Sequence, residues 1–315
     1  LPLGRRWNFS TGAHPAIKGK GFMDLIIGTL EQGLIYAILA LGVYITYKIL
    51  DFPDLTADGS FPLGAAITAT MISNGGNPVL AMGVSLLAGA AAGLVTGLIH
   101  VKCRVRDLLS GIITMTALYS INLHIAGMSN VPLFGMTTLF KNGFVDGVFG
   151  GGLAPYKTLI IVLAVAMIGK LLMDLFLKTK AGYLLRAVGD NDAVVTSLAR
   201  DKGTVKIMGL AIANGLIALS GSVMCQQQRF FEIQMGTGAI VIGLASVIIG
   251  INLFRRLTFI KATTAVVLGS ILYKGCVAAA ISFGMSANDM KLVTAVLFLV
   301  ILIAGNWMDR KGEPA

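Results

Sequence analysis

The sequence predicts an all-α polytopic membrane protein with about nine transmembrane segments, one of them broken or short, arranged in pseudo-symmetric halves. Composition gives the first reason. The 315 residues are 56% hydrophobic and only 13% charged, with a mean hydropathy of +0.82, whereas a soluble domain carries about 25% charged residues. The second reason is length: apolar runs recur that approach the roughly 20 residues needed to cross hydrocarbon. The third is charge placement. The basic residues behind the net charge of +10 lie in short clusters between apolar runs. That pattern fits orientation in a membrane better than a nucleic-acid surface, and no nucleic-acid partner is expected.

Residues 1–22 stand apart. They carry Arg5, Arg6, Lys18 and Lys20 with no acid and no apolar run. Arg5 and Arg6 are not followed promptly by the apolar stretch of a signal peptide. This segment reads as a disordered leader or an appended sequence, and Met23 opens the membrane body, residues 23–308. Spans are expected at 25–47, 61–73, 79–101, 108–126, 157–178, 205–228, 237–254, 262–283 and 289–306, with a tail at 309–315. Placing the polar stretch 178–206 in the cytoplasm puts Lys102, Arg104, Arg106, Arg255, Arg256, Lys261, Arg310 and Lys311 on the same side. Only Lys141, Lys157, Arg229 and Lys291 of the body then face outward. That asymmetry orients the N-terminus outside and the C-terminus in the cytoplasm.

Residues 50–66, LDFPDLTADGSFPLGAA, cannot form an ordinary lipid-facing helix. Pro53 and Pro62 break the hydrogen-bond ladder, and Asp51, Asp54 and Asp58 are costly in hydrocarbon. A broken span, unwound over residues 54–59 and buried beside a polar conduit, accounts for them better than a water-exposed loop. Asp54, Thr56, Asp58 and Ser60 are therefore candidates for a substrate path. Gly59-x-x-x-x-Gly64-Ala65-Ala66 is echoed by Gly238-x-x-x-x-Gly243-Leu244-Ala245, each after a polar break. The echo is the basis for expecting two related halves.

Other polar residues fall inside spans. Glu31 lies early in the first, and Thr116, Ser120 and Asn122 lie in the fourth. All four are path candidates, although Ser and Thr also bond to their own helix backbone. Lys170 and Asp174, spaced i,i+4, are expected to neutralise each other. Of the single polar residues Asn214, Ser220, Asn252 and Lys274, most are expected to bond between helices. Cys103, Cys225 and Cys276 are isolated and read as packing residues. His14, His100 and His124 have no ligand spacing, so no metal is expected.

The longest polar island, residues 178–206, is too patterned for a loose loop. A short helix fits residues 181–188, with Leu184, Leu185 and Val188 on one face, Arg186 and Ala187 beside them, and Gly189 suited to a left-handed C′ position. Asp190, Asn191 or Asp192 could cap a second helix carrying Val194, Val195 and Leu198, stopped near Gly203. Two amphipathic helices between spans make a knob suited to docking another protein.

The run Thr179-x-x-Gly182-x-x-x-Arg186-Ala187 resembles the coupling loop of ABC-transporter permeases in the branched-chain amino acid family. The chain departs from many relatives at Ala199–Arg200, where Gly and an apolar residue are usual. The run F-P-D-L-T-x-D-G-S-F-x-L-G-A-A and residues 110–134 are similar to the subgroup serving tryptophan, tyrosine and related uptake. The resemblance covers residues 23–308 and implies a permease subunit of an ATP-driven importer in the bacterial cytoplasmic (inner) membrane. It implies a second permease copy, a homodimer, around a central path. It also implies separate ABC ATPases that carry ATP and Mg2+, and an extracytoplasmic solute-binding protein. Leu184, Leu185, Arg186, Ala187, Gly189, Asp190, Asn191, Val194 and Leu198 would then form the contact through which the ATPase pushes. The cargo class implied is amino acids or related metabolites, with aromatic amino acids favoured.

The chain itself shows no G-x-x-x-x-G-K-[ST], no HExxH and no nucleophile–base pattern, so no catalysis, metal or cofactor of its own is expected. The rival reading is a self-sufficient secondary transporter or channel with a broken-helix site. It explains the intramembrane acids equally well but leaves the structured knob without a role.

Overall fold

In hydrocarbon every backbone N–H and C=O must be satisfied within the protein, so apolar runs of this length have to be helices. A computed structural model of the chain describes residues 19–149, 151–190, 202–255, 257, 259–282 and 290–310. Helix α1 spans Gly19–Val43 and widens into a π-helical turn, Tyr44–Ile49. After a non-helical stretch come α2 (Ala57–Ser73), α3 (Pro78–Val101) and α4 (Asp107–Ala126). Strand β1 (Asn130–Pro132) and the short α5 (Gly143–Val148) lead to α6 (Lys157–Leu177) and α7 (Lys180–Asp190). Then follow α8 (Lys202–Gln228), β2 (Phe230–Glu232), α9 (Ala239–Phe254), α10 (Ala262–Ser282) and α11 (Met290–Arg310).

Each of the nine expected apolar runs falls on a helix. Seven of the described helical segments are long and apolar enough to cross a membrane. The two that fall short are informative. Helix α2 has 17 residues, which at about 1.5 Å per residue reaches less than the roughly 30 Å of the hydrocarbon core. Helix α11 is apolar only over Leu292–Ile303.

Several boundaries differ from those read in the sequence. Helix α1 already begins at Gly19, four residues before Met23. Residues 1–18 lie outside the described residues, as do Asn191, Asp192, Val194, Val195 and Leu198 of the expected second knob helix. Gly203, expected to stop that helix, is instead buried in the first turn of α8. Cys225 is buried as expected of a packing residue, but Cys103 and Cys276 are exposed.

Helix α8 is the element the others gather on: α3 and α2 pack along it, and α1 crosses it. Small residues make this possible, since packing in a bilayer depends on close backbone approach. A Cβ at Gly64 of α2 would collide with the carbonyl of Ala218, and one at Gly93 of α3 with the carbonyl of Leu210. From the other side, a Cβ at Gly221 of α8 would strike the carbonyl of Phe61. The C-terminal helices pack comparably: α10 lies against α9 and α1, and α11 against α9. Large apolar side chains on the outer faces, such as Leu87, Leu172, Leu175 and Leu299, are exposed, as lipid-facing residues of spanning helices are.

One end of the bundle is closed by a feature the sequence did not announce. β1 pairs antiparallel with β2, Val131 opposite Phe231. Phe231 and Leu133 are fully buried there with Ala65, Ala69 and Cys225.

The close contacts predict an asymmetry between glycines. Gly64→Ala is expected to destabilise the protein by about 1–3 kcal/mol, the usual cost of overpacking. Gly83→Ala has no neighbour to meet and should leave the melting temperature unchanged. Thermal unfolding of both variants in detergent checks this, and equal melting temperatures would refute it.

Candidate functional site

The π turn and the stretch after it form the centre of the site. The turn ends with Leu50 N–H donating to the carbonyl of Ile45, and Phe52 N–H reaches back to that of Thr46 at 2.8 Å. Asp51 adopts a left-handed conformation (φ 49°), and Phe52 sets its ring edge-on to His100 of α3, centroids 5.0 Å apart. The chain thus leaves helix geometry over Asp51–Thr56 and re-enters it at Ala57. The break lies a few residues earlier than the expected 54–59. Asp58, Gly59 and Ser60 are helical because the restart is held from in front by Asp54.

Asp54 is buried, and its two carboxylate oxygens are used separately. Oδ1 accepts from the backbone N–H of Thr56 at 2.9 Å, and Oδ2 accepts from Nδ2 of Asn214 at 2.7 Å. Asn214, on α8, in turn accepts from the hydroxyl of Ser60 at 2.7 Å. The Thr56 hydroxyl lies 2.9 Å from that of Thr96 on α3. A buried polar group is tolerated when its bonding capacity is met. These residues meet it among themselves and tie the break to α3 and α8. Asp54, Thr56 and Ser60 therefore sit in the packed interior and do not line the cavity beside them.

Asp58 does line it. From the second residue of α2, its carboxylate reaches across to the start of α9 and accepts from the N–H groups of Gly238 (3.0 Å) and Ile240 (2.9 Å). Helix α9 has no cap of its own, because the residue at its N-cap is Gly238, with φ 83°. A carboxylate supplied 180 residues earlier in the chain satisfies donors that would otherwise be orphaned and meets the positive end of the helix dipole. Gly236 permits the approach: a Cβ there would collide with the Asp58 carbonyl and with Pro62.

Around Asp58 opens a cavity of about 340 Å³, with Pro62, Met115, Thr116, Tyr119, Asn122 and Gln234 in its lining. Asn122 is fully buried and donates from Nδ2 to the carbonyl of Gly59 at 3.0 Å. Its Oδ1 has no partner among the described residues. The cavity so combines a carboxylate and a hydroxyl with the apolar surfaces of Met115, Pro62 and Tyr119. Such a lining favours a ligand with hydrogen-bond donors and an apolar body.

Of the eight path candidates, the structure brings Asp58, Thr116 and Asn122 together at this cavity. Thr116 also donates to the carbonyl of Ile112 in its own helix. Ser120 is exposed on α4, away from the cavity lining. Glu31 lies elsewhere, accepting from Gln227 of α8. Lys274 joins α10 to α1 by a cation–π contact, its Nζ 3.9 Å from the ring centroid of Tyr36, and Tyr36 stacks on Phe61. Missed in the sequence were Tyr119, Met115, Gln234 and Thr237 of the lining. The one available signal for the Asp58 cap was a side-chain-free N-cap at Gly238.

Helix α7 differs from the expected docking knob in which side it turns inward. Leu185 and Val188 are buried, Leu184 and Ala187 are half-buried, and Tyr183 and Arg186 are exposed. Gly189 is a helical residue and not a left-handed C′ cap. Its requirement for glycine is steric, since a Cβ there would overlap the carbonyl of Ile49 at the end of the π turn. Leu185 packs with Leu50 against Gly209 of α8. The apolar stripe of α7 thus docks on this chain's own π turn and α8, and Asp190, the last residue of α7, ends the described part of the knob.

The cap predicts a graded series. Asp58→Ala should destabilise the protein by about 0.5–2 kcal/mol, the cost of losing a helix cap, and Asp58→Asn should recover part of it. Hydrogen exchange at Gly238 and Ile240 should quicken in the same order, and unchanged exchange in Asp58→Ala would show that the cap is not formed.

Three comparisons bear on what this arrangement serves. Residues 25–304 match the family described as branched-chain amino acid transport system, permease component. The chain is 50% identical over 284 residues to a tyrosine transport system permease protein of Clostridioides difficile, covering 90% of this chain and 92% of that one. It is 31% identical to an uncharacterised protein of Rickettsia prowazekii, over 89% of this chain and 97% of that one. A ribose import permease protein of Haemophilus influenzae is 25% identical over 92% of this chain and 87% of its own length. No solved structure matches the chain. A multi-pass helical protein matched over nearly its whole described length in this way belongs to the family of permease components of branched-chain amino acid transport systems.

Proposed function

We propose that the chain is the non-catalytic membrane subunit of an ATP-driven importer, and that aromatic amino acids are its favoured cargo. The observation that carries this reading is the continuity between α7 and the cavity. Helix α7 is seated on Ile49 and Leu50, and the segment from Leu50 leads directly into Asp54 and Asp58. Motion of α7 would therefore reach the wall of the cavity through fewer than ten residues of backbone, as an ATPase-driven permease requires. Separate ATPases would bear on α7 through the exposed Tyr183 and Arg186 and the half-buried Leu184 and Ala187. Leu185 and Gly189 would transmit the motion inward. ATP and Mg2+ would be bound by those subunits.

The cavity supports the cargo class. Asp58 suits an ammonium group, and Met115, Pro62 and Tyr119 suit an aromatic ring. The name of the 50%-identical relative, a tyrosine transport system permease protein, agrees with that chemistry.

A second copy of the chain would face the first across the exposed polar side of α4, at Thr116, Tyr119 and Ser120, and enclose the path. A solute-binding protein would dock where β1 and β2 close the bundle. In this reading nine helices cross the bacterial cytoplasmic membrane, with residues 23–308 as the permease body and 309–315 as the tail. The N-terminus lies outside and the C-terminus inside, and α1–α4 and α8–α11 form pseudo-symmetric halves. That symmetry is supported by the packing of α3 on α8 and of α10 on α1.

The test is uptake of labelled tyrosine into proteoliposomes. With an added ATPase and binding protein, uptake should require ATP. Uptake by the chain alone, driven by a sodium or proton gradient, would overturn the reading in favour of a secondary transporter.

A further inference from the structure

A second cluster of charge lies away from the cavity, where α6 ends and α7 and α10 begin. Asp174, near the end of α6, is bound by Lys170 at 3.1 Å and by Lys261 at 3.3 Å. It also accepts from the hydroxyl of Thr263. Beside it opens a pocket of about 280 Å³, lined by Tyr44, Asp174, Lys178, Tyr183, Arg186 and Lys261 among others. Three cations thus face one carboxylate that is already held by two lysines and a hydroxyl. The pocket keeps a surplus of positive charge and N–H donors, and it contains two tyrosines.

We propose that this pocket binds the phosphate headgroup of an anionic phospholipid. Its chemistry suits a phosphate oxyanion, for which lysine and arginine are the usual partners. Its place suits a lipid. It lies at one end of the membrane-spanning α6, at headgroup level, and basic pockets between spanning helices at that level recruit anionic headgroups. The flanks are apolar and outward-facing: Leu172 and Leu175 of α6 are 59% and 61% exposed, and Phe259 beside Lys261 is 80% exposed. A free anion would gain nothing from these flanks, whereas acyl chains would lie along them. Because Tyr183 and Arg186 of α7 and Tyr44 of the π turn share the pocket, a bound lipid would tie α7 to α6 and to the turn before the break.

The test is native mass spectrometry of the purified permease, alone and in complex with its ATPase, titrated with phosphatidylglycerol or phosphatidylcholine. Wild-type protein should retain one phosphatidylglycerol per chain in preference to phosphatidylcholine. Lys178→Gln/Lys261→Gln should bind it about twenty-five-fold more weakly, about fivefold for each basic residue lost. Each single variant gives an intermediate value should the double variant fold poorly. Lys102→Gln/Arg104→Gln removes the same charge from exposed residues of the α3–α4 connection and should retain the lipid. Equal retention by wild type and the Lys178/Lys261 variant would overturn the proposal, as would equal loss from both double variants. Displacement by millimolar inorganic phosphate would identify a small-anion site instead. Displacement on adding the ATPase would assign the pocket to that partner.

Discussion

A span that breaks inside a membrane has to answer for each polar group it uncovers, and here the answer depends on the pairing of Asp54 with Asn214. The carboxylate turns the chain by accepting from Thr56 N–H and holds α8 by accepting from Asn214. In a medium without water, an unmet donor or acceptor costs several kcal/mol. The break therefore persists only if α8 lies within hydrogen-bond distance. That distance is available because α2 and α3 meet α8 through glycines at Gly64, Gly93 and Gly221. The small-residue packing and the buried polar network thus require each other. The restart of α2 follows from both and points Asp58 across to α9.

From that geometry a mechanical arrangement follows. The π turn carries an extra residue per hydrogen-bonded ring, a form often found at functional sites, and it stands between α1 and the break. Helix α7 rests on its last residue through Gly189. On the far side, Asp58 is bonded to the N-terminus of α9 rather than to solvent. The segment from Tyr44 to Asp58 is accordingly held at one end by an amphipathic helix beyond the spans and at the other by the cavity wall. A displacement of α7 has few soft joints in which to dissipate, the left-handed Asp51 being the evident one.

Much of this was legible in the residues. Pro53, Pro62 and three aspartates within residues 50–66 announced a broken span. The amphipathic pattern of residues 181–188 marked α7. The misreadings share a cause: each concerned what a residue meets in three dimensions. Gly189 looked like a left-handed terminus because glycine often serves there, yet its space is taken by the carbonyl of Ile49. Leu185 and Val188 looked like a docking stripe because the segment is polar, yet they are buried by this chain's own π turn and α8. Asp54 and Asp58 looked alike in sequence, but one holds the fold and the other lines the cavity. Only partners at distant positions, Asn214 and Gly238, separate them. The pairing of β1 with β2 was hidden for the same reason, since three-residue strands carry too little periodicity to read.

The claim on which the account stands is that α7 moves the break through its contact with Ile49. Gly189→Ala tests it most directly, because a methyl group there must push α7 off the π turn without altering the exposed Tyr183 and Arg186. In proteoliposomes holding the assembled importer, ATP hydrolysis and substrate uptake would be measured in parallel. The ATPase should remain attached and hydrolyse ATP while uptake is lost. Uptake at the wild-type rate per ATP hydrolysed would contradict it.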